Sequence, residues 1–538
     1  METHDKLDAL LYGIADEADA SVDYAAMLAA ISKKVKAQRR RNLIIRLSSI
    51  AAAAVVMLSI GGMWLKMNMK SSADENMAPP EAPEAMVGYA MPQDSAAPRK
   101  KAYPGGKCYM MRVTLRDKQA NRCSLQNPQD FLSQKAIQRR RRQGIEVDST
   151  DLPVSNAYIT GLQQCGMEIV TKSKWNNTVV VKAKSMSAFK QVARLPYVTQ
   201  TRLVWISPDS IAQAEGRLTM RKELRGWGME STSTYGVAYA QIHALNGESL
   251  HRRNFMGDGM TIAVLDGGFM NVDRIPAFST VKIAGTADVV NPDKKTMFRN
   301  VDHGTKVLST MALNVEERYV GTAPNAAYWL IRCEDNESEQ LVEEDYWAAA
   351  AEIADSVGAD IITSSLGYSE FDHKTMSHRY AELDGMTSVC SRAASMLASK
   401  GIVMVSSAGN EGMGSWKKIN VPADARDIIT VGAVTPARKN AAFSSIGPSA
   451  DNRTKPDVMA YGSPAAVVTG RGSLLNDMGT SFAAPQVAGL IACLWQAHPE
   501  KTAKQIVDTV RKTADNYNTP DNIYGFGIPD FSKAMNAR

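Results

Sequence analysis

A serine at the start of a predicted helix is the residue in this chain best suited to act as a nucleophile. The run Gly479-Thr480-Ser481 leads into small and apolar residues that predict a helix. The first N–H groups of a helix are unpaired and its dipole is positive at this end, so negative charge developing near Ser481 is stabilised there. Pro485 fits this prediction within the first turn, where its missing donor costs little.

A serine hydroxyl attacks carbonyl groups only when a base takes its proton, and the base needs a carboxylate to orient it. Asp266 ends the apolar run 261–265 and precedes two glycines, the pattern of a buried strand that opens into a tight loop. Of the seven histidines, only His303 precedes an apolar helical pattern, which puts its imidazole at a predicted helix N-terminus. The sequence therefore supplies a base for the serine and a carboxylate that orients this base.

An asparagine follows a second apolar strand pattern. Residues 401–405 are apolar, the next residues are small, and the stretch ends at Asn410. A side-chain amide can donate to the oxyanion of a tetrahedral intermediate. An isolated Gly-Asn pair is more often a turn, so the interpretation depends on the other motifs.

Together these motifs resemble those of the subtilisin-like serine proteases, whose triad runs Asp, His, Ser along the chain. The resemblance covers roughly residues 235 to 535. It implies that Asp266, His303 and Ser481 are catalytic, that Asn410 binds the oxyanion, and that Ser365-Leu366-Gly367 lines the primary specificity pocket. It also implies serine endopeptidase activity on a polypeptide substrate, with no cofactor, and no metal ligands of the family can be matched in this sequence.

The resemblance implies an α/β fold, with a mostly parallel sheet and helices on both faces. Ahead of it, strand and helix patterns alternate from Tyr109 to Trp205, with a basic helix from Asn127 to Gln143. This order predicts a small ferredoxin-like α+β domain. Its layout resembles a subtilisin-type propeptide, which implies an intramolecular inhibitor and processing between residues 207 and 235.

A long apolar stretch near the N-terminus predicts one transmembrane helix. Residues 47–65 carry no charge, and basic residues cluster between Lys33 and Arg46. This asymmetry predicts a cytoplasmic N-terminus and an exported protease, periplasmic or on the cell surface, that processing would release. A cleaved signal peptide is the lower-ranked alternative, because the segment before the apolar stretch is longer than a normal n-region.

The chain is 538 residues long, enough for several domains. The predicted segments are a cytoplasmic segment (1–42), a signal-anchor helix (43–65), a Pro/Ala-rich tether (66–106), a propeptide domain (107–205), a linker with the processing site (206–234) and a peptidase domain (235–538). A catalytically silent, membrane-tethered binding or signalling protein is the alternative function. An esterase is disfavoured, because no Gly-x-Ser-x-Gly elbow surrounds Ser481.

Charge is informative only locally, since a net charge of +6 is small for this length. The basic run Arg139-Arg140-Arg141-Arg142 has no aromatic platform, so we predict a solvated helix face and no nucleic-acid partner. By their position in the resembled family, six acidic residues between Glu334 and Glu344 would border a bound peptide, and their charge predicts contacts with its basic side chains. Six cysteines without Cys-x-x-Cys spacing exclude common zinc and redox motifs and leave disulfide pairing open.

Overall fold

The structure is a computed structural model that describes residues 100–104, 106–119, 121–212, 233–292, 297–299 and 301–537. The predicted cytoplasmic segment, the signal-anchor helix at 43–65 and most of the tether lie outside these ranges, as does most of the linker with its processing site. Within the described ranges, no helix combines the length and apolar character needed to span a bilayer.

The first part of the described chain forms a four-stranded antiparallel sheet. Its strands, in sheet order, are β3 (Glu168–Ser173), β4 (Thr178–Ala183), β2 (Tyr109–Leu115) and β5 (Val198–Ile206). In chain order within this domain they run second, third, first and fourth, which is the split βαβ order of the predicted α+β domain. A separate two-stranded sheet joins β1 (Lys100–Ala102) and β6 (Ser210–Ala212).

Helices α1 (Gln134–Arg142), α2 (Asn156–Gln164) and α3 (Phe189–Val192) accompany this sheet. The basic helix therefore begins at Gln134, where the Ser133 hydroxyl caps it, and not at Asn127 as predicted. Residues Pro128–Asp130 instead form a short 3-10 turn. Leucine, valine and methionine side chains between the sheet and its helices form a core of their own, so this domain has an independent apolar interior.

The second part of the described chain is built on a seven-stranded sheet in which every strand pair is parallel. In sheet order the strands are β15 (Val458–Tyr461), β14 (Ile429–Val434), β13 (Val403–Ser407), β12 (Ile361–Ser364), β7 (Thr261–Asp266), β11 (Ala327–Arg332) and β8 (Lys282–Asp288). Strands β7, β12, β13 and β14 are buried at every residue, as expected for a parallel sheet covered on both faces.

Short antiparallel pairs join β9 (Asn314–Val315) to β10 (Tyr319–Val320) and β16 (Ala465–Val468) to β17 (Leu474–Asp477). The α-helices of this part, as far as it is described, are α4 (Tyr239–His243), α5 (Glu248–His251), α6 (His303–Ala312), α7 (Glu343–Val357), α8 (Val389–Met396), α9 (Thr480–Ala497), α10 (Ala503–Lys512) and α11 (Phe531–Asn536).

Helix α9 is buried from Thr480 to Trp495 and runs through the core of this part. Because it begins at Thr480, Pro485 is its sixth residue and lies beyond the predicted first turn. A residue at this position would normally donate to the carbonyl of Ser481. Proline has no N–H, and that carbonyl instead accepts from the hydroxyl of Ser365 at 2.8 Å. The proline thus leaves the Ser481 carbonyl free to accept a hydrogen bond from the segment that follows β12.

The two parts meet in an interface rich in buried charge. Arg139 and Arg140 are 2% and 1% exposed, so the prediction of a solvated helix face is wrong for them. Both guanidinium groups contact the carboxylate of Asp355 in α7, at 2.6 and 2.9 Å, and Lys174 contacts it at 3.0 Å. Buried charges are tolerated when they are paired in this way, so the basic run holds the two parts together.

Two further acidic side chains of α7 receive donors from the antiparallel sheet. Asp345 accepts two hydrogen bonds from the guanidinium of Arg112, both at 2.7 Å. Glu352 accepts from the hydroxyl of Ser173 at 2.6 Å and from the backbone N–H of Trp175 at 3.0 Å. Charge-assisted and bidentate bonds of this kind are geometrically specific, so helix α7 is the docking surface for the smaller domain.

Candidate active site

Three neighbouring strands of the parallel sheet end at one cleft. Asp266 is the last residue of β7, Ser365 follows β12, and Ser407 is the last residue of β13. These strands are adjacent in the sheet, and ligand sites of parallel sheets form at such carboxyl ends. The cleft has a volume of about 340 Å³ and contains every predicted site residue: Asp266, His303, Ser365, Leu366, Gly367, Asn410 and Ser481.

The imidazole of His303 faces the carboxylate that the sequence assigns to it. Its Nδ1 lies 3.0 Å from Oδ1 and 2.9 Å from Oδ2 of Asp266. Asp266 is fully buried, and its Oδ1 also accepts from the N–H of Gly267 at 2.8 Å. This arrangement favours a proton on Nδ1 and leaves Nε2 as the free base.

Helix α6 is held close to the loop that follows Asp266, which fixes the position of His303. The N–H of Gly304 donates to the carbonyl of Gly268 at 3.0 Å, and the hydroxyl of Thr305 donates to that of Met270 at 2.9 Å. A Cβ on Gly304 would come within 2.5 Å of the Gly268 oxygen. Only glycine therefore allows the helix to approach this closely.

The ionisation of His303 reflects competing effects. Burial lowers the pKa of the imidazole, whereas the Asp266 carboxylate raises it through its charge and hydrogen bond, and Glu334 adds to this increase. The net effect raises the pKa of His303 above its ordinary value. An opposite charge at this distance favours the charged form, so the pair stabilises the imidazolium that would form when the imidazole accepts a proton.

The serine and asparagine also line the cleft. The hydroxyl of Ser481 donates to the carbonyl of Ser365 at 3.3 Å. Oδ1 of Asn410 accepts from both the N–H and the hydroxyl of Thr480, each at 3.0 Å. Because these two donors occupy the amide oxygen, the NH2 group of Asn410 is the part left to donate to a ligand.

Only one of the predicted acidic residues between 334 and 344 lines the cleft. It is Glu334, and burial, followed by the charges of Glu339 and Asp266, raises its pKa to about 8. Glu343 and Glu344 are almost fully buried, and Glu344 contacts His378 at 2.5 Å. The predicted role in binding basic peptides is therefore wrong for Glu343 and Glu344, which are structural.

Four cleft residues were not predicted from the sequence. Glu411 directly follows Asn410, so its position next to the oxyanion motif could have predicted it. Asn336 donates to the carbonyl of Gly267 at 3.0 Å, and Val301 and Asn420 also line the cleft. No local pattern marks these three, because they come from loops that the fold brings together. All six cysteines are free thiols, so no disulfide pairs any of them.

Comparison with known proteins matches both parts of the chain. Residues 257–527 match the Subtilase family, and residues 110–219 match the Peptidase S8 propeptide domain, Bacteroidota. Subtilisin from Bacillus pumilus is 31% identical over 297 residues, which cover 55% of this chain and 95% of that protein.

Other relatives align over a similar region. Subtilisin NAT from Bacillus subtilis subsp. natto is 31% identical over 55% of this chain and 69% of its own length. The thermostable alkaline protease of Halalkalibacterium halodurans is 28% identical over 57% of this chain and 74% of its own length. The chain therefore belongs to the subtilase family, as a subtilisin-like serine endopeptidase with a propeptide domain of the same family.

Proposed function

We propose that this chain hydrolyses peptide bonds through a covalent acyl-enzyme with Ser481 as nucleophile, and that it is made as a zymogen restrained by its own propeptide domain. The observation that carries the first part is the contact of both Asp266 carboxylate oxygens with Nδ1 of His303, at 3.0 and 2.9 Å. That contact leaves Nε2 free on the side of the imidazole that must serve the serine.

The reaction proceeds in two halves. Nε2 of His303 takes the hydroxyl proton while Oγ of Ser481 bonds to the peptide carbonyl carbon. The oxyanion is held by the NH2 group of Asn410 and the backbone N–H of Ser481. The imidazolium then protonates the leaving amine as the C–N bond breaks, and a water molecule, deprotonated in the same way, releases the acid product.

Attack requires the Ser481 hydroxyl to leave the Ser365 carbonyl and donate to His303. The present bond to Ser365 is long, at 3.3 Å, and hydrogen bonds of catalytic groups often tighten only when substrate is bound. We propose that attack begins when the Ser481 hydroxyl rotates away from Ser365 and toward Nε2 of His303.

Labelling with a fluorophosphonate tests the proposal. The reagent is expected to phosphonylate Ser481 of the processed chain, with loss of fluoride, and peptide mapping should locate the adduct there. A His303→Ala variant should label far more slowly, because no base takes the proton. A folded, processed chain that resists the reagent and cleaves no peptide would favour the silent binding protein instead.

Replacing Asn410 with leucine should lower kcat by about 10²- to 10³-fold, the loss that the corresponding donor causes in subtilisin itself. Leucine has nearly the same shape but donates no hydrogen bond. KM should change little, since the donor acts on charge that develops after binding. Steady-state kinetics on one peptide substrate measures both constants, and a loss seen only in KM would contradict the oxyanion role.

The inhibitory role of the propeptide is supported by the burial of its contacts with α7. Beyond the ion pairs of Asp355, Gln340 exchanges two hydrogen bonds with the backbone of Ile206, at 2.8 and 2.9 Å, and Val342 donates to Val204 at 3.1 Å. The last strand of the small sheet is thereby bonded to the loop that leads from the cleft residue Glu334 into α7. Such contacts can outlast cleavage of the linker and keep the domain bound.

Two arginines of helix α1 provide a matched test of this interface. The Arg139 side chain is 1% exposed and bonds Asp355 and the carbonyl of Ala359, whereas the Arg142 side chain is 43% exposed and lies 3.4 Å from Asp360. Breaking a buried pair costs about 3 to 5 kcal/mol, whereas exposed pairs contribute less than about 1 kcal/mol. We therefore expect Arg139→Met to weaken propeptide binding at least about 100-fold and Arg142→Met less than about fivefold.

The measurement uses the full chain after processing. Serial dilution releases the propeptide, and the concentration at which peptidase activity appears gives its Kd. Equal effects of the two substitutions would mean that burial of α1 contributes nothing to inhibition.

Membrane anchoring is a separate part of the proposal. It rests on the uncharged stretch 47–65 and the basic residues before it, with the N-terminus in the cytoplasm and the protease exported. Full-length chain should stay with membranes during alkaline extraction, whereas a chain without residues 1–65 should be released. Because the anchor precedes the propeptide, processing would leave the catalytic domain attached only through noncovalent contacts.

A further inference from the structure

A hairpin connects the helix that begins at His303 to the helix that carries Ser481. Strands β16 and β17 form this hairpin, and β17 ends at Asp477, four residues before Ser481. In the other strand, the N–H of Val468 donates to the hydroxyl of Ser309 in α6 at 3.0 Å. The hairpin therefore contacts α6 and leads directly into the start of α9.

An ion pair joins the hairpin to α6 near the cleft. Nζ of Lys306 lies 3.1 Å from Oδ2 of Asp477, whereas Oδ1 of Asp302 is 3.8 Å away. The other carboxylate oxygen of Asp477 accepts from the N–H of Met478 at 2.8 Å. Lys306 lies three residues after His303, which is about one helical turn. The pair thus links a point one turn from the base to a point four residues from the nucleophile.

The two halves of the site are each fixed by contacts of their own. Helix α6 is bonded to the loop after Asp266, as described above. On the serine side, the N–H of Gly479 donates to the carbonyl of Gly462 at 3.0 Å, and a Cβ on Gly462 would come within 2.8 Å of the Gly479 oxygen. These contacts fix each group within its own half, whereas the ion pair of the hairpin acts on the separation between the halves.

The reaction depends on this separation. The Ser481 hydroxyl donates to Ser365 in the resting arrangement and must reach Nε2 of His303 before attack. Misplacement of reacting groups by about 1 Å can cost about 100-fold in rate. The two side chains of the ion pair are 19% and 31% exposed, and such pairs contribute little to folding stability. Loss of the pair should therefore lower the rate without unfolding the protein.

We propose that Lys306 and Asp477 are positioning residues that hold the imidazole of His303 within reach of the Ser481 hydroxyl. The inference rests on the proposed function, which makes these two groups the base and the nucleophile. A purely electrostatic role for Lys306 is the alternative, because its charge lowers the pKa of His303. The two roles differ at high pH. An effect on the pKa vanishes once His303 is neutral, whereas an effect on position persists.

The test compares Lys306→Met, Asp477→Asn and the double variant, each processed by immobilised parent enzyme that is then removed. The kcat is measured on the pH plateau above the acid limb, per mole of Ser481 labelled by fluorophosphonate. Each single substitution should lower this kcat at least about 10-fold and change KM less than about threefold. The double variant should lose less than about threefold more than either single variant, because both substitutions remove one contact. Lys306→Arg keeps the pair and should retain the parent kcat within about threefold.

Lys282→Met is the matched control, with activity expected within about twofold of the parent. Lys282 begins β8, at the edge of the sheet opposite the cleft, and lies 3.6 Å from Asp258. An unchanged plateau kcat in either single variant, or losses that multiply in the double variant, would overturn the inference. If Lys306→Met fails to fold, Asp477→Asn decides the question. Labelled variants with the parent kcat refute only the positioning role, whereas a parent enzyme that is not labelled refutes the proposed function.

Discussion

Replacing Ser481 with alanine is expected to lower kcat by about 10⁶-fold, the size that loss of the serine or histidine has in subtilisin, a relative of this chain. The substitution removes one oxygen atom from a residue that is 7% exposed at the start of α9. The only hydrogen bond that its hydroxyl donates in the described structure is the 3.3 Å contact with Ser365. Folding should therefore be preserved while the bond-forming atom is lost.

The same variant should accumulate as an unprocessed chain. If the linker between residues 207 and 235 is cut by the enzyme itself, the Ser481→Ala protein retains its propeptide and runs at full mass. The masses of both proteins after equal incubation show whether the linker has been cut, and so whether Ser481 is needed for the cut. Adding a trace of parent enzyme should cleave the variant in trans, which shows that its linker is intact and accessible.

Release of the same catalytic fragment from both proteins would contradict self-processing and point to another protease. Peptidase activity that persists in the purified variant, at more than about one thousandth of the parent rate, would contradict the nucleophile itself. Residual catalysis from the oxyanion donors and binding alone lies far below that level.

The sequence predicted which distant residues line one cleft because each motif marks a local structural event. Asp266 ends a strand, and His303 and Ser481 begin helices, so each position follows from patterns a few residues long. In a parallel sheet, strand ends and the helix starts that follow them collect at one edge. Local patterns were therefore enough to bring three distant residues together.

Long-range pairing explains what the sequence did not predict. Arg139 and Arg140 look like a solvated run because their partner, Asp355, lies 216 and 215 residues away. Asn420 has the appearance of an ordinary loop residue, since its contacts with Gly367 and Gly409 depend on the positions of two strand ends. Such contacts are set by tertiary structure, and no periodic pattern in one sequence encodes them.

Changing Asp266 to asparagine should reduce kcat by about 10⁴-fold while the cleft keeps its shape. The amide is nearly isosteric with the carboxylate and can still accept the N–H of Gly267, now 2.8 Å from Oδ1. Its NH2 group, however, donates to Nδ1 of His303, which shifts the imidazole proton to Nε2. An imidazole protonated at Nε2 cannot take the serine proton, so the loss falls on the chemical step.

The pH dependence supplies a readout that a merely unfolded variant would not give. The enzyme needs neutral His303, so activity falls as pH drops through its pKa, which Asp266 raises. Without that negative charge the pKa is less raised, and the acid limb of kcat/KM for the residual activity should move to lower pH.

Asp302→Asn is the matched control: Asp302 is the residue before His303, and its carboxylate contacts Lys306 and Gly470. Asparagine can still accept the N–H of Gly470 and loses only a 3.8 Å contact with Lys306, so this control should retain parent activity within about threefold. An Asp266→Asn enzyme with the parent rate, or with an acid limb shifted upward, would mean that this carboxylate neither orients nor charges the histidine.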